Sequence, residues 1–535
     1  MKIPSKYKAA PKQDMPLAAN REMVLSGHFS IAQKCASTKL RLPARAAWVL
    51  AVLCALLLAA LQPLHAQTED VLYSFGQSGD GVKPLGVMIR DKKGNLYGTT
   101  QYGGANDVGT VFKLSPAGPE AVLHSFGVQS GDGARPFAGL VIDVAGNLYG
   151  TTANGGSHDH GTVFKLSPAG AETVLYSFGS GSDDGSYPYA GLIMDTTGNF
   201  YGTTVGGGAN NGGTVFKLTP SGTETVLYSF CAQSNCWDGF NPTASLIMDS
   251  GGNLYGTTDN GGAKGYGTVF KVTSSGAETV LYAFCSQVNC ADGGRPAADL
   301  IMDIGGDLYG TASYGGPNGL GAVFKLTPTG AETTLYGFGS QSSDGAFPDA
   351  SLIMDKKGNL YGTTAYGGAT GDGTVFEISP PAKIGSAWTE TVLHSFCFCA
   401  DGRTPLANLI MDQTGALYGT TYLGGAYYGG GAVYKISAST TITALSSSPN
   451  PSNSGQTVTL TAVVSGSGAT IPTGKVTFKN GTTTVGAAIL KTSGMATAKL
   501  KTKVLPVGSD SLTAVYDGDI WNLPSTSATL NQVVN

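Results

Sequence analysis

Seven aspartates recur in a DGxxP frame: Asp80, Asp132, Asp184, Asp238, Asp292, Asp344 and Asp401. Carboxylates gathered round one opening could hold sugar hydroxyls or a Ca²⁺ ion, whose ligands are hard oxygens. The competing reading is local. Asp-Gly makes a turn, Asp caps its own backbone and Pro launches the next strand, and a position used alike in every repeat speaks for construction. Tyr102, Tyr314 and Tyr366 stand beside Gly pairs, from which they could stack on sugar rings or pack between loops.

Other chemistry-bearing residues differ from repeat to repeat. Cys231 and Cys236, Cys285 and Cys290, and Cys397 and Cys399 each fall in a DGxxP loop. Their even number and local pairing favour disulfides. A Cys-x4-Cys bridge closes a short loop and contributes roughly 2 kcal/mol, whereas Cys-x-Cys is harder to close, which leaves Cys397 and Cys399 open. Zinc fits less well, since the spacing is not Cys-x2-Cys and no His follows. His158, Asp159 and His160 in GGSHDHG could bind a transition metal or form a solvated loop tip. His124 and His394 replace the Tyr of the VLYSF phrase and read as strand side chains that no other repeat complements. The sequence has no GxSxG, HExxH or phosphate-loop motif and no EF-hand loop, so no catalytic residue is assigned.

A repeat must position all of these. LYG or FYG phrases at Tyr97, Tyr149, Tyr201, Tyr255, Tyr309, Tyr361 and Tyr418 are spaced 52, 52, 54, 54, 52 and 57 residues apart. Each is followed by a GTVFKL-like phrase, and all but the last then by a TVLYSF-like and an AGLIMD-like phrase. GTVFKL sets Val and Lys on one side and Phe and Leu on the other, the period of a strand. LIMDKKGNLYG is a hairpin whose turn chemistry comes from Asp355 and Gly358. Four strands in about 50 residues make a propeller blade. With LIMD innermost, the last period lacks an outer strand and VLYSF at 71 to 75 lacks inner ones, so the N-terminal strand is expected to complete the last blade. A linear solenoid explains this bookkeeping less well. The DGxxP loop and the loop after GNLYGTT are expected on one face.

Composition agrees, with 79 Gly in 535 residues and 13% charged residues. Residues 1 to 66 carry nine of the 32 Lys and Arg and an apolar run from Ala46 to Leu61. They read as a secretory signal with a long basic leader cleaved near Ala66, the alternative being an uncleaved anchor. The remainder has a net charge of −11, which disfavours nucleic acid and anionic lipid as partners. Beyond Ser437, the phrases SSSPNPSNSGQTVTLTAVVSG, PTGKVTFKNGTTTVGAAIL and SLTAVYDGD alternate as strands of a sandwich.

The phrases GNLYGTT, GTVFKL, TVLYSF and LIMD resemble the GloVer tandem repeat of the choice-of-anchor family of secreted bacterial proteins, over residues 71 to 436. That resemblance implies no established activity. LPSTS at 523 to 527 resembles a sortase motif but lacks the final Gly, the apolar helix and the basic tail. Residues 440 to 535 are similar to bacterial Ig-like repeat domains, which implies a spacer or adhesive module.

The sequence therefore predicts an all-β protein. A signal segment (1–66) precedes a seven-bladed β-propeller of four-stranded blades closed by the N-terminal strand (67–439), and an Ig-like β-sandwich (440–535) follows. The expected function is a secreted or cell-surface, non-catalytic binding or adhesion scaffold. It would be a monomer with polysaccharide or a surface protein as partner, no nucleic acid, no membrane beyond the signal segment, and no cofactor other than Ca²⁺ at the aspartates. A polysaccharide lyase or glycosidase is the alternative, and a structural envelope or matrix protein the second.

Overall fold

The computed structural model describes residues 68–535 apart from 117–119, 382, 384, 428, 468–469 and 493–494. The basic leader and its apolar run lie outside the described residues. The chain is all-β. Among the described residues the helical segments are two 3-10 turns, Ser234–Cys236 and Val288–Cys290, and no helix is long and apolar enough to cross a membrane.

Seven four-stranded antiparallel sheets occupy the repeat region, numbered I to VII here in chain order. Sheet I runs Ile89–Arg90, Leu96–Thr100, Thr110–Leu114 and Glu120–Ser125, each strand pairing with the next. Sheets II to VI repeat that order. In sheet VII, Ile410–Met411, Leu417–Thr421 and Ala432–Ser437 are followed by the N-terminal strand Thr68–Ser74, which pairs antiparallel with Ala432–Ser437.

The hairpin between the first two strands is tied by its aspartate. Asp355 accepts hydrogen bonds from Lys357 N (2.7 Å), Asn359 N (2.9 Å) and the Tyr361 hydroxyl (3.1 Å), while Gly358 supplies a φ of +83°. The third strand departs from simple alternation. Val111 and Phe112 are both fully buried and only Lys113 of that strand is partly exposed, because each sheet is covered on both faces by its neighbours. Gly98 lies opposite Phe112, where a Cβ would come within 2.6 Å of the ring, so glycine makes room for the aromatic.

Each sheet is joined to the next in the same way. Thr99 Oγ1 donates to Ala138 O (2.8 Å), Thr151 to Ala190 O (2.9 Å) and so on, and Thr420 of sheet VII donates to Pro84 O (3.2 Å) ahead of sheet I. Edge-to-face aromatic pairs mark the same junctions, from Phe126–Phe164 (5.1 Å) to Phe396–Tyr434 (4.9 Å), and Phe75–Phe112 (5.0 Å) joins the N-terminal strand to sheet I.

Residues beyond 440 form two further sheets. Thr441–Ser448, Val458–Gly466 and Ala496–Thr502 face Thr483–Ile489, Lys475–Asn480, Gly508–Tyr516, Ser525–Thr526 and Leu530–Val534. Alternate residues Val458, Leu460, Ala462 and Val464 enter a core with Val476, Phe478, Leu512 and Tyr516, the pattern of a sheet with one buried face. Trp521 from this part is buried against Tyr361 and Leu417, and its indole N–H donates to Glu377 (2.5 Å). Glu377 stands where sheets I to V have Lys, and the indole explains the exchange.

Candidate functional site

The segments that enter the first strands of all seven sheets meet around a cavity of about 130 Å³. Its lining is uneven. Leu85, Phe137, Tyr189 and Leu406 make one part apolar, with Phe137 and Tyr189 stacked at 4.7 Å. Ser245, Asp299, Asp349 and Asn408 make another part polar. Asp299 accepts from Ser245 N (2.6 Å) and Asn408 Nδ2 (2.7 Å), and burial raises its pKa. Burial, opposed by a Ser313 hydrogen bond and assisted by Asp259, raises Asp349 to about 6. This asymmetry was hidden in sequence, where Gly139, Gly191, Ser245, Asp299 and Asn408 occupy one repeat position that reads as filler before a strand.

At the mouth, the DGxxP loop pairs with the loop after the second strand, as in Gly81–Val82 with Tyr102–Gly103 and Gly345–Ala346 with Tyr366–Gly367. Single bridges at Phe240–Asn260, Gly294–Tyr314 and Arg403–Leu423 do the same in other repeats, so the two loops pair with each other beside each sheet. The residue before each proline is Lys83, Arg135, Tyr187, Asn241, Arg295, Phe347 or Thr404, and all seven adopt a left-handed φ of 55° to 61°. Non-glycine residues seldom do this, and an observed cluster of them points to function. The conformation is held from both sides. The N–H of Arg295 donates to Tyr266 O in the preceding repeat (2.7 Å) and its carbonyl accepts from Ser313 N (3.3 Å), and Lys83 N donates to Gly430 O (2.7 Å).

The side chains so presented are cationic, aromatic or polar. Lys83 lies over the rings of Tyr102 and Tyr422, both at 5.1 Å, and Arg135 over Tyr102 at 5.4 Å. Phe347 meets Tyr366 edge-on at 6.0 Å, and Tyr266 stacks on Tyr314 at 5.2 Å. Tyr314 and Tyr366 are exposed and Tyr102 is half-buried.

The seven DGxxP aspartates turn inward instead. Asp80, Asp132, Asp238, Asp292, Asp344 and Asp401 are buried and Asp184 is half-buried. Asp238 accepts from the Tyr228 hydroxyl (2.9 Å), Ala232 N (2.9 Å) and Gln233 N (3.2 Å), and Asp80 from the Tyr73 hydroxyl (3.0 Å), Gly76 N and Gly81 N. Each accepts from donors of its own strand and loop, although Asp184 Oδ1 and Asp344 Oδ1 are buried without a partner, and the seven are not brought together at the mouth. His158, Asp159 and His160 are not brought together either. Asp159 accepts from Gly155 N (3.0 Å), the His160 ring packs on Tyr187, and His158 is exposed. Cys231 is bonded to Cys236, Cys285 to Cys290 and Cys397 to Cys399.

A set of residues that sequence reasoning missed lies against these aspartates. Glu120, Glu172, Glu224, Glu278, Glu332 and Glu390 each stand at or next to the start of the last strand of one sheet and face the aspartate of the preceding repeat, while Glu69 faces Asp401. The signal was present as a Glu at the same place before every VLYSF-like strand.

Fold and sites together define an all-β tandem-repeat protein with a terminal sandwich. The chain matches the Gloeobacter/Verrucomicrobia repeat model over residues 60–198 and 146–357, and the bacterial Ig-like domain (group 3) model over 445–535. It belongs to the Gloeobacter/Verrucomicrobia repeat family and carries a bacterial Ig-like domain. No curated protein matches the chain. Similar solved structures include a structural genomics protein of unknown function from Bacteroides thetaiotaomicron, at 15% identity and a TM-score of 0.35, covering 70% of this chain and 98% of that one. A lectin from Burkholderia pseudomallei is similar at 10% identity and a TM-score of 0.42, covering 67% and 96%. A polysaccharide lyase, ulvanlyase, is similar at 10% identity and a TM-score of 0.29, covering 87% and 98%.

Proposed function

We propose that residues 67–439 form a closed seven-bladed propeller, followed by an Ig-like sandwich at 440–535, and that the exported protein is a non-catalytic binding scaffold for acidic polysaccharide. The observation that carries this reading is the set of seven left-handed residues at the mouth. The frame around them repeats almost unchanged, whereas the side chains they present are Lys, Arg, Tyr, Asn, Arg, Phe and Thr. A strained conformation kept in all seven repeats, with a different side chain on each, suits the display of a recognition surface. Aromatic faces at Tyr102, Tyr314, Tyr366 and Phe347 can stack on sugar rings. Lys83, Arg135 and Arg295 supply positive charge on a segment whose net charge is −14, which favours uronate or sulfate groups over neutral sugars. The sandwich then serves as spacer.

One observation favours cleavage as a second reading. Asp349, at about 6, sits beside Asp259 in the mouth, and an acid held near neutrality next to a second carboxyl is the pairing that glycoside hydrolysis uses. Residues 67–535, produced under oxidising conditions, are screened on neutral, uronate-rich and sulfated polysaccharides while new reducing and unsaturated ends are assayed. The expected result is saturable, salt-sensitive binding to the acidic glycans without new ends. Cleavage that Asp349→Asn abolishes would install the second reading, and silence in both assays would reject both.

A further inference from the structure

We infer that His124, Asp132 and Glu172 form a binding site for one divalent transition-metal ion, such as Zn²⁺, between sheets I and II. One imidazole nitrogen and one oxygen from each carboxylate lie within 4.8 Å of one another, and Nε2 is 3.6 Å from Asp132 Oδ2. That is close to the spacing of atoms bonded to a shared ion at about 2.0–2.2 Å. His124 comes from the last strand of sheet I, Asp132 from the loop after it and Glu172 from the last strand of sheet II, so the next repeat does complement this histidine.

The state of the imidazole separates this junction from the other six. The His124 Nε2 has no hydrogen-bond partner although its side chain is only 11% exposed, and its 3.6 Å separation from Asp132 Oδ2 is too long for a hydrogen bond. Glu172 Oε1 is also buried without a partner, a feature it shares with Glu69, Glu120, Glu224, Glu278 and Glu390, so the imidazole is what sets this junction apart. In sheet VI the equivalent His394 is satisfied, with its Nε2 at 3.0 Å from Asp401 Oδ2. In the remaining five sheets a tyrosine hydroxyl takes the place of the imidazole. Asp132 is already oriented as a ligand would be, since its oxygens accept from Gly133 N (2.7 Å) and Val128 N (3.2 Å). A groove of about 510 Å³ lined by Gln129, Ser130, Asp132, Ser157, Glu172 and Tyr176 reaches the same carboxylates. It provides the entry path, and three protein ligands leave coordination open to it.

An imidazole with two carboxylates suits a borderline ion better than Ca²⁺. The test is equilibrium dialysis of the chelator-stripped protein against Zn²⁺, with the metal counted per chain and the melting temperature read with and without Zn²⁺. Wild type takes up one ion and is stabilised by it. His124→Tyr installs the residue of five other sheets, so it folds, and it takes up none. Glu172→Gln loses uptake as well, while His394→Tyr and a His158→Ala, His160→Ala double variant keep it. No uptake by wild type, or full uptake by His124→Tyr, would overturn the assignment.

Discussion

Raising the pH from 5 to 8 lowers the melting temperature of the repeat region by roughly 5–10 °C, taking about 1 kcal/mol per site after discount for partial exposure and roughly 1 °C per kcal/mol for this size. The cause is the set of seven glutamates that face aspartates across the sheet junctions. Their carboxyls are pushed up from 4.5 to about 7, and at Glu390 to about 8. Burial is the largest cause at every one and the facing aspartate adds to it. His394 opposes it at Glu69, His124 at Glu172, and Thr334 and Gln287 at Glu332.

Below about pH 4.5 a glutamate is protonated in the folded and unfolded chain alike, and stability does not respond. Between about 4.5 and 7 the unfolded chain has released the proton and the folded chain has kept it, so stability falls as pH rises. Once the folded pKa is passed, both forms are ionised and the loss is complete. The hairpin aspartates Asp91, Asp143, Asp249 and Asp412 act oppositely. Burial works against their charge, but the hydrogen bonds they accept outweigh it and hold them below 3.8, so their contribution is lost only in stronger acid. The optimum thus lies in mild acid. Glu390→Gln raises the melting temperature at pH 8 and changes it little at pH 5. A melting temperature that is flat or rising from pH 5 to 8 would contradict this account of the junctions.

The second large effect comes from the N-terminal strand. A chain beginning at residue 77 loses the strand Thr68–Ser74 from the edge of sheet VII, and with it Phe75, which is fully buried against Met88, Phe112 and Val433. Such a chain exposes Ala432–Ser437 as a new sheet edge, a template for aggregation, and its repeat region is expected to lose cooperative unfolding. Phe75→Ala alone costs about 3–5 kcal/mol. Circular dichroism melts of both variants check this. Wild-type melting of the shortened chain would mean that the last sheet needs no strand from the start of the chain.

Much of the fold was legible because the repeat spells it out. GTVFKL and LYG are strand phrases with turn residues between them, and the orphan VLYSF at 71 to 75 matched a strand missing after residue 436. The pairing of Cys231 with Cys236 and Cys285 with Cys290 was legible in the even number and local pairing of the cysteines. What stayed hidden depends on partners that the sequence does not place side by side. Whether Asp238 points to solvent or inward is decided by the Tyr228 hydroxyl and the loop amides, and only the folded loop brings them together. Glu278 meets Asp238 of the repeat before it, so its neighbour is a different strand of a different sheet. The residue before each proline looked like a spacer because its identity varies, and its left-handed backbone has no signature when the residue is not glycine.

The mouth residues are proposed to recognise an acidic glycan. The most direct measurement is the affinity of wild type and of an Arg135→Ala, Arg295→Ala double variant for a uronate-rich polysaccharide, beside a neutral one. Both arginines are exposed, so the fold stays intact. Saturable wild-type binding is expected to weaken at least ~10-fold in the variant, about 1.4 kcal/mol, with no binding to the neutral glycan. Equal affinity of the two proteins, or equal binding of acidic and neutral glycans, would contradict it.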